Sequence, residues 1–251
     1  MTWNIGHRGA AGLEPENTLR SFQRAAGEGA DALELDLRIT RDRQLVVLHD
    51  PTVDRTTDGR GPVHGMTLAE LQDLGGGMGE RVPTLTEVME ATALPIHAEL
   101  KVVEAAEPLA RLILETEAAE RLTPISFHAA ALRRVKRAVP NLPVGLIFSG
   151  APPDAAQRVL SVGASLVSLE AAHLSVEAVE RCRRAGLKIT TWTVNELEQM
   201  RRAMELGVDG IVTDRPDLLA GIVNARGSST RRVETAWVRR ELEFGWMERD
   251  S

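Results

Sequence analysis

Eight times along the chain, a short apolar run is followed by a segment with the spacing of an amphipathic helix. The runs occupy residues 3–7, 32–37, 95–100, 123–127, 143–148, 165–170, 188–194 and 209–214. Helical patterns follow, for example at 17–27, 103–117, 176–185 and 196–206, with Asn17 and Asn195 where N-caps would stand. Eight strand–helix pairs in one chain predict an α/β fold, a (β/α)8 TIM barrel, over residues 1–225. An open doubly wound sheet would call for fewer repeats or a Gly-rich nucleotide fingerprint, and no GxGxxG follows the first strand. The length of 251 residues suits one such domain, and 43% apolar with 26% charged residues allows both a full core and a wet surface.

One segment breaks the alternation. QLVVLH, ending at His49, alternates like a strand, yet about five residues separate it from the strand before it. No crossover helix fits in that gap, so parallel pairing is excluded and an antiparallel hairpin turning at 41–43 is expected. Equal arms about that turn bring His49 back to the level of Asp36 and Glu34. Residues 51–83 then form a small polar, Gly-rich insertion in the second strand-to-helix connection. That connection lies on the face where barrel active sites sit, so the insertion reads as a lid or substrate wall, or else as a tolerated surface loop. Residues 226–251 make a charged tail carrying Trp237, Phe244 and Trp246; it reads as a helix packing on the barrel or on a second copy in a homodimer, or as a frayed end.

Charge and composition narrow the partners. Thirty Lys and Arg against 36 Asp and Glu give a net −6, which disfavours a nucleic-acid binder. A single cysteine, Cys182, permits no internal disulfide and suits a reducing compartment. No apolar run reaches the roughly 18 residues of a membrane span, and the start shows no secretory pattern. A cytoplasmic protein without stable membrane insertion is the expectation. With no Tyr in the chain, tyrosine chemistry is excluded.

The candidate chemistry begins at Glu34 and Asp36. Two apart on a strand, they share one face while Leu33, Leu35 and Leu37 take the other. Two carboxylates on an interior face are costly unless neutralised, and hard oxygens suit Mg²⁺ or Ca²⁺. Glu99 shares a face of the next barrel strand with His97 and Lys101, bringing a third carboxylate to the same level. Such a set leaves coordination positions open for substrate and water. His7, Arg8 and Gly9 end the first strand: a proton carrier near neutral pH, a planar fork for phosphate, and a residue that lets the backbone turn beside a ligand. With His49 delivered to the same rim, two histidines flank one metal, an arrangement suited to a base and an acid on opposite sides of a phosphorus. Arg8, Lys101 and the cation would give this acidic protein the local positive potential a phosphate needs. Trp192 and Phe127 stand at strand ends, either as an apolar wall for substrate or as rim packing. His97 reads as an orienting partner of Glu99 or as a satisfied core histidine, while His64, His128 and His173 read as solvated.

In order, HRGAAGLEPENTL (7–19), ELDLRITRDRQLVVLHD (34–50), DPTVDRTTDGRG (50–61), VPTLTEV (82–88), ELK (99–101), SF (126–127), WTVN (192–195) and GVDGIVTDRP (207–216) resemble the glycerophosphodiester phosphodiesterases over nearly all of residues 4–225. The resemblance implies a barrel with an insertion after its second strand. It implies hydrolysis of small-molecule glycerophosphodiesters, such as glycerophosphocholine or glycerophosphoethanolamine, to sn-glycerol 3-phosphate and an alcohol. Carried over residue by residue, Glu34, Asp36 and Glu99 are implied as metal ligands, His7 and His49 as the acid–base pair, and Arg8 and Lys101 as phosphate contacts. The implied route starts with attack by the glycerol 2-hydroxyl aided by His7, with His49 protonating the departing alcohol and water then opening a cyclic phosphate. His97 stands where the family commonly has Asn, a departure that bears on metal affinity. Two rivals remain at this level. One is a lysophospholipase D-like enzyme for acylated substrates, which would need an apolar groove that 51–83, with scattered Val, Met and Leu, does not offer. The other is a catalytically silent phosphodiester-binding barrel, which would normally lack one of these seven residues.

Overall fold

The computed structural model describes residues 2–226. Strands β1 (Trp3–His7), β2 (Ala32–Ile39), β4 (Ile96–Leu100), β5 (Leu122–Ser126), β6 (Gly145–Phe148), β7 (Leu166–Glu170), β8 (Lys188–Trp192) and β9 (Gly210–Thr213) run parallel. Each bonds to its neighbours, and β1 pairs with both β2 and β9, which closes the sheet into a barrel. Helices α1 (Leu19–Gly27), α3 (Leu85–Ala91), α4 (Ala106–Thr116), α5 (Ala129–Ala138), α6 (Ala155–Ser161), α7 (Val176–Arg184), α8 (Leu197–Leu206) and α9 (Pro216–Arg226) follow the strands in turn, as a right-handed βα repeat requires. This is the (β/α)8 TIM barrel that the alternation predicts. No helix among the described residues is long and apolar enough to cross a membrane.

Strand periodicity divides the interior from the helix layer. Leu33, Leu35 and Leu37 of β2 and Ile96, Ala98 and Leu100 of β4 pack with Phe22, Leu85 and Leu109 of the helices in one large core. The alternate residues point into the barrel. Inside it, Ile5, Ala32 and Val212 form one apolar cluster, and Ile125, Ile147 and Leu166 another, both packed against Trp192. On β2 and β4 the interior turns instead to Glu34, Asp36, His97 and Glu99, all buried.

The expected hairpin is present. β3 (Leu45–Val47) runs antiparallel to β2 with Leu37 opposite Val47, and the Leu48 amide donates to the Asp36 carbonyl. The 51–83 insertion folds on itself: Val53, Val63, Leu71 and Val82 join Val46 and Leu48 in a separate apolar cluster, with the short helix α2 (Leu68–Gln72) inside it.

Two helix starts differ from expectation. Thr18, not Asn17, caps α1, accepting from the Ser21 amide. Asn17 instead takes a left-handed φ of 58° and donates to Asp36. Asn195 does not cap α8 either, since Glu196 holds that position; its side chain bonds Asp214 and Thr213. In both cases a polar group at the barrel mouth, which local sequence does not display, recruits the amide.

The turn after β1 depends on Gly9. Its φ is +86°, and a Cβ there would lie against Ser21 Oγ and 2.6 Å from the Ser21 carbonyl carbon. Gly9→Ala is therefore expected to destabilise the fold by about 2 kcal/mol or more, read as a lower urea midpoint at unchanged slope.

Candidate active site

Register brings the acids together. In the parallel pair of β2 and β4, Asp36 lies opposite Glu99 and Glu34 opposite His97, while His7 at the end of β1 lies opposite Glu34. One carboxylate oxygen from each of Glu34, Asp36 and Glu99 falls within 4.8 Å of the others. Such crowding is unfavourable for three free anions, and the side chains around them answer it unequally. Asp36 contacts Lys101 Nζ at 3.3 Å and Arg8 Nε at 3.2 Å, and accepts from Asn17 at 2.8 Å. Burial opposes its charge, but Lys101, Arg8 and Asn17 together hold it below the usual carboxylate range. Glu99 pairs with Lys101 at 2.8 Å, yet burial, with Asp36 nearby, leaves it raised. Glu34 is pushed up to about 8 by burial and by the charge of Asp36. Its Oε2 accepts from the Arg8 amide at 3.1 Å. Two acids that resist ionisation beside a third that is charged form a donor set a divalent cation fits, since it neutralises them together where protons otherwise would.

Each histidine is held by a carboxylate. His7 Nδ1 lies 2.6 Å from Asp214 Oδ1, and its Nε2 is 3.9 Å from Glu34. Burial disfavours the charged ring, but the Asp214 hydrogen bond and the Glu34 charge outweigh it, so the His7 pKa is raised. Asp214 is fixed in turn by Asn195, which donates to it at 2.6 Å and accepts from its amide at 2.9 Å. His49 Nδ1 lies 2.7 Å from Asp50 Oδ1. Arg38 grips the His49 carbonyl with Nε at 2.9 Å and Nη2 at 2.6 Å, fixing the end of the hairpin. Hydrogen bonds from Arg55 and then His49 hold the Asp50 carboxyl well below the usual range.

The backbone at Arg8 is as constrained as its side chain. Arg8 has φ 50°, in the left-handed region, a conformation that costs energy in a non-Gly residue. Its carbonyl accepts from the Asn17 amide at 3.0 Å and from Ser21 Oγ at 2.9 Å, and its amide is the one on Glu34. From this position the guanidinium meets Asp36 through Nε and Glu16 through Nη1 at 2.8 Å.

His7, Glu34, Glu99, Phe127 and Trp192 line one pocket at the mouth. The Phe127 and Trp192 rings meet edge to face at 5.5 Å, a favoured aromatic geometry. His97 is buried beneath, its pKa lowered to about 4 by burial, so the ring is neutral. His173 contacts Glu170 on the rim at 3.2 Å, and His64 and His128 occupy a short 3-10 turn and the start of α5.

Sequence pattern gives Asp214, Asp50, Glu16, Arg38 and Arg55 no part in the site, and marks Asn17 and Asn195 only as helix caps. Position gave a signal for three of them: Asp50 follows His49, and Asn195 and Asp214 lie just beyond strands that end on the reactive rim.

A profile for the glycerophosphoryl diester phosphodiesterase family matches residues 7–218. A glycerophosphodiester phosphodiesterase of Caldanaerobacter subterraneus subsp. tengcongensis is 38% identical over 240 residues, covering 89% of this chain and 98% of that protein. Among solved structures, a phosphodiesterase of Oleispira antarctica in complex with the product sn-glycerol-3-phosphate aligns at TM-score 0.82 and 26% identity, covering 88% of this chain and 96% of that one. A glycerophosphodiester phosphodiesterase of Agrobacterium tumefaciens aligns at TM-score 0.79 and 31% identity, covering 88% and 100%. With this coverage, and with the barrel and its acid cluster in place, the chain belongs to the glycerophosphoryl diester phosphodiesterase family of enzymes.

Proposed function

We propose that the enzyme hydrolyses glycerophosphodiesters such as glycerophosphocholine and glycerophosphoethanolamine to sn-glycerol 3-phosphate and an alcohol, with His7 and His49 as the acid–base pair. The observation that carries this reading is the union of three buried carboxylates with two imidazoles, each backed by its own carboxylate. The product complex of the Oleispira relative supports the same product here. Mg²⁺ or Ca²⁺ held by Glu34, Asp36 and Glu99 would offset the charge that develops on the phosphoryl oxygens.

The remaining steps belong to the chain's own groups. With Nδ1–H donated to Asp214, His7 keeps the Nε2 lone pair toward the site and takes the proton of the glycerol 2-hydroxyl as that oxygen attacks phosphorus. His49, its Nδ1–H donated to Asp50, carries a proton on Nε2 and gives it to the departing alkoxide as the P–O bond breaks. The cyclic phosphate left behind is opened by water: His49 takes the water proton, and His7 returns its proton to the 2-oxygen. Both rings end as they began. Arg8 and Lys101 hold the phosphoryl oxygens, and Trp192 with Phe127 forms the apolar wall of the mouth. We assign the activity to residues 1–225, with the tail after them outside the chemistry. The packing or dimerisation role expected of that tail, with Trp237, Phe244 and Trp246, lies outside the described residues.

Three measurements test this. EDTA is expected to abolish release of glycerol 3-phosphate, and added Mg²⁺ or Ca²⁺ to restore it; activity indifferent to chelation would contradict the role of the carboxylates. His49→Ala is expected to lower kcat on glycerophosphocholine by about 10² or more with the thermal melt preserved, and near-normal turnover would remove its role. Ending the chain after residue 226 should leave kcat/KM within about twofold, because no group placed in the chemistry is removed; a folded but inactive product would refute the division.

A further inference from the structure

We propose that Arg55, which reaches in from the 51–83 insertion, is a positioning residue that locks the partner of His49 to the partner of Arg8. Its Nε donates to Asp50 Oδ2 at 2.7 Å, and its Nη1 donates to Glu16 Oε2 at 2.7 Å. Nη2 lies between the two carboxylates, 3.1 Å from Asp50 Oδ1 and 2.7 Å from Glu16 Oε1. Both acids are thus gripped by two edges of one planar group. Asp50 Oδ1 is also the atom that meets His49 Nδ1, and Glu16 Oε1 the atom that meets Arg8 Nη1. A continuous chain of charge-assisted bonds therefore runs Arg8–Glu16–Arg55–Asp50–His49, from the phosphate-holding side of the site to the proton-donating side.

The insertion holds Arg55 for this task. Val53 is fully buried in the insertion's own cluster, and the Val53 carbonyl accepts from Thr57, closing the turn that carries Arg55. Thr57 in turn bridges Gly76, and the Asp58 amide donates to Gly75. The Arg55 side chain itself is half exposed, so its ion pairs add little to global stability. Their effect is geometric and falls on the proton-donating side: they keep the Asp50 carboxylate, and with it the His49 ring, in one orientation, whereas Arg8 is held without Arg55 by Asp36 and by its own amide on Glu34. Lysine offers a single ammonium and cannot present two forks at fixed spacing.

The inference rests on the reading of His49 as the acid for the leaving alcohol, and the test separates the two. Two esters of glycerol 3-phosphate are compared in saturating single turnovers that follow release of choline or nitrophenol, the step that precedes the water attack both esters share. The choline ester needs its leaving oxygen protonated, whereas the p-nitrophenyl ester departs as a stable phenolate and does not. Arg55→Ala, Arg55→Lys and His49→Ala are assayed on both, with thermal melts. Arg55→Ala is expected to lose about tenfold or more in the single-turnover release rate on the choline ester and to stay within about threefold of wild type on the nitrophenyl ester, with Arg55→Lys restoring little of the loss. His49→Ala should show the same selectivity more strongly. Equal loss on both esters by Arg55→Ala, a change in KM alone, or full rescue by lysine would overturn the proposal. If His49→Ala discriminates between the esters and Arg55→Ala does not, only the role of Arg55 falls. If His49→Ala does not discriminate, the assignment of His49 falls and takes this inference with it. Should Arg55→Ala fail to fold, Arg55→Lys and Asp50→Asn carry the same comparison.

Discussion

The mutual repulsion of Glu34, Asp36 and Glu99 is the constraint around which this mouth is arranged. Strand register alone forces it, because Asp36 and Glu99 occupy one rung and Glu34 sits one rung below on the same face. Water cannot relieve it, since all three are buried. Two cations answer it: Lys101 spans two of the acids, and Arg8, with a left-handed backbone, meets Asp36. Those two cations are also the groups that suit an anionic phosphate. Under the proposed function, charge compensation and phosphate recognition are thus one arrangement seen from its two sides.

The histidines extend the same logic outward. Each has Nδ1 committed to a carboxylate, which leaves Nε2 as the ring nitrogen for the proposed proton transfers. The supports differ in kind. Asp214 is held by Asn195 on the neighbouring loop of the barrel itself. Asp50 is held by an arginine from the insertion. The barrel therefore supplies one support, and the excursion from its second connection supplies the other. That division gives the 51–83 segment a structural part in the site, beyond that of a tolerated loop.

Much of this was legible from residue order. Period-two alternation placed Glu34 and Asp36 opposite the leucines, and the short gap before QLVVLH left an antiparallel return as the one way back. The supports of the histidines were not legible in the same way. Asn17 and Asn195 carry the local signature of a cap, and nothing within a few residues of either reveals the acid that captures it. Arg55 sits in a polar stretch where an arginine is unremarkable until the fold sets Glu16 beside Asp50. Periodicity reports which face a side chain takes. It does not report which partner from a distant segment arrives there, and the missed residues all depend on such partners.

The pairing of His7 with Asp214 crosses the seam where the first strand meets the last, 207 positions apart in the chain. Asn4 crosses it too, donating to the Pro216 carbonyl. A ribosome therefore emits the imidazole early and its aspartate near the end. Until the final stave is seated, the nascent polypeptide has the imidazole without the carboxylate that holds it, so the orientation proposed for proton transfer arrives with closure of the cylinder.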